Sequence, residues 1–503
     1  MIAVLPIAKQ SHLFWLAALA TFLLAISHAD SRHLAVAADG TACAEQSRQP
    51  NILLVMTDDQ GYGDLACHGN PLIQTPHIDA FYKQAVRFTD FHVSPTCSPT
   101  RSALMTGRHE FKNGVTHTIN ERERLTLMAF TLAQLLKSAG YTTGIFGKWH
   151  LGDEADHQPN RRGFDEVFIH GAGGIGQTYV GSCGDAPGNT YFNPAILHNG
   201  TFEKTKGYCT DVFFAQATAW IDQQRQAGRP FFAYITPNAP HAPLDCPPDY
   251  EAKYTGKVPA NVAKFYGMIT NIDDNFGRLM DKLRRWRLER DTLVIFMTDN
   301  GSATGSQTFN AGMRGAKGTP YQGGTRVPAL WRWPAGFAGG RDVKQLAAHI
   351  DIFPTLAAIT EAKVPPEFAG QVEGRSLLPL LEDDAADWPD RTLVTHVGRW
   401  EKGQAAAAKY SACSIRNSRF TLVNAKQRGE QWELFDLQSD PGETKNVLAK
   451  HRDIADELRD RLDQWWTEVT PLLVNEDAVG PTQNPFKVLY WKQFGGGPKE
   501  LVP

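Results

Sequence analysis

Asn51-Ile52-Leu53-Leu54-Val55-Met56-Thr57, followed at once by Asp58-Asp59, is the stretch on which the fold of this 503-residue chain turns. A short, unbroken apolar run shows no alternation of wet and dry faces, so it reads as a strand covered on both sides. Similar runs recur at residues 142–146, Phe231–Thr236 and Thr292–Thr298, with helix-like stretches at 131–139, 212–226 and 262–286 among them. Strand alternating with helix predicts an α/β fold, in which a large, mostly parallel sheet is sandwiched by helices.

Each strand is followed by polar residues. Asp58 and Asp59 come after the first, Lys148 and His150 after the second, His241 shortly after the third, and Asp299 and Asn300 after the fourth. Ligands of open α/β sheets bind outside the carboxyl ends of the strands, so these residues are expected to converge on one pocket. Three carboxylates and an amide make a hard-cation site, for Ca²⁺ ahead of Mg²⁺, because an oxygen cage built wholly by protein suits the larger ion.

The remainder of the chain sets the organisation. Its length implies two domains, and the acidic stretch 382–391 with Pro389 is the expected boundary. Residues 50–388 then form a catalytic domain and 389–503 a smaller C-terminal α+β domain. The strand-like segments of the latter are 392–397, 419–423 and 431–437, with an amphipathic helix at 451–469. Residues 171–207, rich in Gly, Asn and Tyr, read as a long surface excursion over the site. At the N-terminus, Lys9, the apolar run 13–26 and Ser27-His28-Ala29 read as a signal peptide over 1–29, followed by a leader over 30–49. The apolar run falls short of the roughly 20 residues that span a bilayer. Export to the periplasm or the exterior is expected, with no stable membrane insertion after cleavage.

The chain is 42% hydrophobic and 21% charged with a formal net charge of −3, which gives no pull toward nucleic acid. Oligomeric state has no signature. Seven cysteines are present, none in C-x-x-C spacing, which excludes a zinc or iron–sulfur site of that type. Cys183 and Cys209 flank a Gly- and Asn-rich insertion and are the pair favoured for a disulfide.

Cys97-Ser98-Pro99-Thr100-Arg101 precedes Thr106-Gly107-Arg108. Pro99 fits the first turn of a helix, which puts Cys97 at an N-terminus, where open N–H groups favour an anion. Lys148 and His150 lie in Gly147-Lys148-Trp149-His150-Leu151-Gly152, His241 stands between prolines, and Lys317 is in Arg314-Gly315-Ala316-Lys317-Gly318.

With Tyr321-Gln322-Gly323-Gly324-Thr325-Arg326 and Glu433-Leu434-Phe435-Asp436-Leu437, these motifs make the chain resemble the formylglycine-dependent sulfatase family over most of its length. The resemblance implies an alkaline-phosphatase-like domain with a smaller C-terminal sheet domain. It implies hydrolysis of an aryl sulfate or a sulfated carbohydrate, after a formylglycine-generating enzyme has oxidised Cys97. Ca²⁺ would be held by Asp58, Asp59, Asp299, Asn300 and the modified Cys97. By the same match, Arg101 steadies the aldehyde hydrate, Lys148, His241 and Lys317 bind the sulfate, His241 and Lys317 protonate the leaving group, and His150 takes the proton as sulfate departs. The alternatives are a phosphonate or phosphodiester hydrolase on the same scaffold, and an unmodified glycan-binding relative. Gln322 stands where relatives often carry Glu, an exchange expected to alter a loop contact, and Thr100 replaces a commoner Ser.

Overall fold

Sixteen strands organise the computed structural model, which describes residues 49–383 and 385–499. In chain order they are β1 (Asn51–Thr57), β2 (Val86–Phe88), β3 (Phe91–His92), β4 (Thr142–Lys148), β5 (Glu166–His170), β6 (Ala195–His198), β7 (Thr201–Lys204), β8 (Phe231–Thr236), β9 (Thr292–Thr298), β10 (Ala329–Arg332), β11 (Arg341–Val343), β12 (Ala347–Ala348), β13 (Leu393–His396), β14 (Cys413–Arg416), β15 (Phe420–Asn424) and β16 (Trp432–Asp436). The expected signal peptide, the leader up to Arg48, and Cys43 lie outside the described residues. Among the described residues no helix is long and apolar enough to cross a membrane.

Ten strands form one mixed sheet in the order β11-β2-β10-β9-β1-β8-β4-β5-β6-β7. The five central ones, β9 to β5, pair in parallel, and β6, β7 and β10 are antiparallel to their neighbours. Alternation along β1 explains the unbroken apolar run. Ile52, Leu54 and Met56 join one core, with Leu132, Leu136 and Leu356 from helices Leu132–Ser138 and Ile352–Thr360. Leu53 and Val55 point the other way, into a core with Phe213, Phe276 and Leu279 from helices Cys209–Gln226 and Ala260–Arg285. Helices therefore cover both faces, as the apolar runs require.

A second, antiparallel sheet, β13-β14-β15-β16, packs against helix Arg452–Val469 through Ile415, Leu422, Leu434, Leu458 and Leu462. Two differences from expectation stand out. The 171–207 excursion is partly regular: β6 and β7 form a hairpin that widens the large sheet, turned by Asn199 and Gly200 at φ 48° and 89°. Asn-Gly suits such a turn because both residues tolerate left-handed backbone. The chain also returns after the small sheet, where helix Pro485–Phe494 reaches β7 and the Gln493 side chain bonds both backbone groups of Phe202.

The expected Cys183–Cys209 disulfide is corrected. Both are free thiols, with Cys183 Sγ donating to Thr118 O at 3.6 Å and Cys209 Sγ to Asn238 Oδ1 at 3.5 Å. The segment between them is held by hydrogen bonds and the β6–β7 ladder instead.

Gly147, three residues before His150, has φ 127°, and a Cβ there would stand 2.0 Å from Thr236 O on β8. Gly147→Ala is expected to lower stability by about 2–3 kcal/mol through overpacking, seen as a lower Tm. An unchanged Tm would refute this close packing.

Candidate active site

Parallel pairing of β1 with β9 brings Thr57 level with Thr298, so Asp58-Asp59 and Asp299-Asn300 leave neighbouring strands side by side. Backbone groups lock the two turns together. Asp299 N–H donates to Thr57 O at 3.1 Å, and Asp59 N–H donates to Asp299 Oδ1 at 3.2 Å. Asn300 Nδ2 donates to Asp59 Oδ1 at 3.0 Å. On the other side of β1, strands β8 and β4 deliver His241, Lys148 and His150. Lys148 Nζ lies 2.6 Å from Asp58 Oδ2, with both side chains fully buried.

Cys97 is the first residue of helix Cys97–Thr106, and its first turn has no side-chain cap. Its Sγ lies 3.5 Å from Asp58 Oδ1, 4.0 Å from Asp59 Oδ1 and 3.5 Å from Lys317 Nζ. One turn on, Arg101 points into the sheet end. Its Nη2 and Nε donate to Asp299 Oδ2 at 2.7 and 3.2 Å, and its Nη1 donates to Lys148 O and Thr236 Oγ1. Arg101 thus acts first on Asp299, beneath the cysteine. Lys317 Nζ sits 2.5 Å from Asp59 Oδ1.

Burial and the Asp299 charge push Asp58 up to about 8, outweighing Lys148. Burial also opposes ionisation of Asp59, yet Lys317 and His241 hold it well below the usual carboxylate range. Desolvation, and then Asp58, push the Cys97 thiol up to about 12, so the site does not favour a thiolate. Burial followed by Lys148 drives His150 well below its ordinary value, and burial brings His241 to about 4. Lys317 is raised: desolvation opposes its charge, but Asp59 and Cys97 more than compensate.

The donor set fits a hard divalent cation. Ligand atoms of Asp58, Asp59, Cys97 and His241 lie within 4.8 Å of one another. Asn300 Oδ1 is buried with no hydrogen-bond partner, an amide oxygen left free beside three carboxylates. Oxygen-rich surroundings with an orphaned carbonyl match calcium better than a nitrogen- or sulfur-seeking metal.

Above Cys97 opens a cavity of about 330 Å³, lined by Cys97, His150, His241, Lys317, Gln177 and Arg399 among others. The structure therefore gathers the sequence-derived site residues around one strand-end cluster, with Lys148, Arg101 and Asp299 fully buried beneath it. Sequence reasoning missed His117 and Arg399, which line the same cavity from loops, whereas Gln177 and Tyr179 reach it from the 171–207 stretch expected over the site. Gln322 makes the loop contact foreseen for it, donating from Nε2 to Pro441 O at 2.7 Å and from its backbone N–H to Glu443 at 2.9 Å.

The family model described as Sulfatase matches residues 50–362, a span that contains every one of the strand-end residues above. The chain belongs to the sulfatase family. A second family model, described as N-sulphoglucosamine sulphohydrolase, C-terminal, matches residues 316–468. The sulfatase is 31% identical to arylsulfatase A of Homo sapiens over 443 residues, 80% of this chain and 84% of that protein. It is likewise 31% identical to N-acetylgalactosamine-6-sulfatase of Canis lupus familiaris over 381 residues, 69% of each. The crystal structure of Ps i-CgsB in complex with k-i-k-neocarrahexaose is similar at TM-score 0.75 and 27% identity, covering 88% of this chain and 97% of that one. By family, this sulfatase is a sulfuric ester hydrolase.

Arg101 neutralises a carboxylate that is wholly buried, and removing one partner of such a pair leaves an uncompensated charge. Arg101→Met is expected to destabilise the sulfatase by about 3–5 kcal/mol in denaturant unfolding. A loss below about 1 kcal/mol, the range of exposed pairs, would refute that role.

Proposed function

We propose that this sulfatase hydrolyses sulfate esters of carbohydrates or aryl alcohols with a formylglycine made from Cys97 and a Ca²⁺ held by Asp58, Asp59, Asp299, Asn300 and the modified residue 97. The observation that carries the reading is the place of Cys97, first in a buried helix and 3.5 Å from both an Asp58 oxygen and the Lys317 ammonium. A thiol raised to about 12 is a poor nucleophile, so chemistry at this position is better served by a different functional group. The formylglycine supplies a hydrated aldehyde as nucleophile, and the divalent ion offsets negative charge beside it.

The chain's own groups do the rest. The side chains of Asp58, Asp59 and Asp299 are paired with Lys148, Lys317 and Arg101 respectively, so a bound divalent ion would add positive charge to a centre whose acids already have partners, which favours a sulfate monoester. Lys317 and His241 reach the cavity wall and donate to sulfate oxygens, while Lys148 adds its charge from beneath, beside Asp58. Arg101 steadies the nucleophile's surroundings through Asp299. Lys317 stays protonated and can hand a proton to the departing oxygen. His241 Nδ1 lies 2.6 Å from Ala242 O, which leaves Nε2 facing Asp59, and a bound sulfate favours its protonated form. His150 donates from Nε2 to Thr118 O at 2.8 Å, so its partnerless Nδ1 is the acceptor for the proton that must leave the nucleophile's second hydroxyl. The motif Cys97-Ser98-Pro99-Thr100-Arg101 supports maturation by a formylglycine-generating enzyme, and the apolar run 13–26 with Ser27-His28-Ala29 supports export.

Mass spectrometry of the Cys97 peptide, from protein made with a formylglycine-generating enzyme, should show a residue about 18 Da lighter than cysteine. Cys97→Ala should lose all turnover of 4-nitrophenyl sulfate; an intact thiol in fully active enzyme would sink the reading. Leaving-group protonation matters more for a basic alkoxide than for a phenoxide. Lys317→Ala should therefore lose on the order of tenfold more kcat/KM on a sugar sulfate than on 4-nitrophenyl sulfate. Equal losses would refute the proton donor.

A further inference from the structure

Two cavities of about 330 Å³ each lie side by side and share His117 and Arg399 in their walls. The first is the one over Cys97. The second, walled also by Asn120, Trp400 and Lys402, contains no residue given a chemical role above.

Arg399 is exposed on the turn after β13 and has φ 64°, next to Gly398 at φ 68°. A non-glycine residue in this region carries a cost of about 1 kcal/mol, and here it aims a guanidinium at the junction of the two cavities. Its backbone N–H donates to Thr116 O at 3.0 Å and its Nη2 to Thr118 Oγ1 at 3.1 Å. No carboxylate lies within ion-pair range of it among the described residues. Of the acids in the second cavity's wall, Glu476 pairs with Arg122 at 3.0 Å and accepts from Trp400 Nε1 at 2.6 Å, Glu121 accepts from Ser182 N–H at 3.2 Å, and Glu401 is exposed and forms no ion pair with Arg399.

His117 adds a directed donor. Its Nδ1 accepts from the N–H groups of Thr118 and Ile119 at 2.8 and 3.1 Å, which places the ring proton on Nε2. Tyr179, 38% exposed, offers a ring face in the same wall. An unpaired guanidinium, a neutral N–H donor and an aromatic face together suit a sugar bearing an anion.

We propose that Arg399 is a specificity residue that recognises a second anionic group of the substrate, a sulfate or a carboxylate, beside the sulfate ester that is cleaved. The substrate is then a saccharide of more than one ring, reaching from the Cys97 cavity into its neighbour. This inference rests on the sulfate-ester reading above.

The test uses the full matured enzyme and three disaccharides with the same scissile sulfate, whose neighbouring ring is neutral, carries a uronate carboxylate, or carries a second sulfate. The native enzyme should favour an anionic member by on the order of tenfold in kcat/KM, and whichever it favours identifies the anion. Arg399→Asn, which tolerates left-handed backbone, should bring that ratio to about one. Arg399→Lys should retain part of it. Because the readout is a ratio, a general loss of activity cancels. A native ratio near one, or a ratio unchanged in Arg399→Asn, overturns the proposal. If no member is desulfated, turnover of 4-nitrophenyl sulfate decides the sulfate-ester reading, which fails if that too is absent. The proposal is then read by calorimetry in the Cys97→Ala background, where Arg399→Asn should weaken binding of the dianionic members alone by about tenfold; equal binding overturns it.

Discussion

The level pairing of Thr57 with Thr298 is the constraint on which the site depends, because it commits three carboxylates to the dry end of a sheet covered on both faces. Moving an ion out of water costs several kcal/mol even after relaxation, so each carboxylate must meet a cation or a row of donors. The chain meets that demand from distant segments. Lys148 comes from the next strand but one, Arg101 from a helix on the covered face, and Lys317 from a loop beyond β9. Fold and site are consequently one problem, since the residues that could hold substrate are also those that make the buried acids tolerable.

The small sheet belongs to the same arrangement. Ser414 Oγ donates to Pro320 O at 2.9 Å, Tyr321 Oη donates to Glu433 at 2.8 Å, and Gln322 bonds Pro441. These contacts hold the loop that carries Lys317, so a residue central to the cluster is braced by residues that lie 94 to 119 positions further along the chain than their partners. The hydroxyl and amide contacts are short and directional, which suits the fixing of a loop better than a long-range charge would.

Much of this was legible in the sequence, for a physical reason in each case. The strands β1, β8 and β9 fall where unbroken apolar runs demanded burial on both sides, and the rule that ligands gather at strand ends placed the acids, Lys148, His150 and His241 together. Three features escaped. The β6–β7 hairpin was hidden inside a Gly-rich stretch despite its Asn-Gly turn. Helix Pro485–Phe494 follows no strand pattern that would announce its return to β7. His117 and Arg399 lie on loops, where neither periodicity nor the strand-end rule applies, and only the folded chain brings them to the Cys97 cavity. The Cys183–Cys209 pairing failed because flanking a loop in sequence does not place two thiols within bonding reach.

Every residue from Cys97 through Thr106 is buried, and Gly107 beyond it packs against Phe353. A macromolecule that needed to grip the backbone on either side of Cys97 could do so only while this segment was still extended. Any enzymatic alteration of that cysteine therefore belongs to biosynthesis, ahead of the closing of the core, and a mature molecule that missed it has no second opportunity without first unfolding.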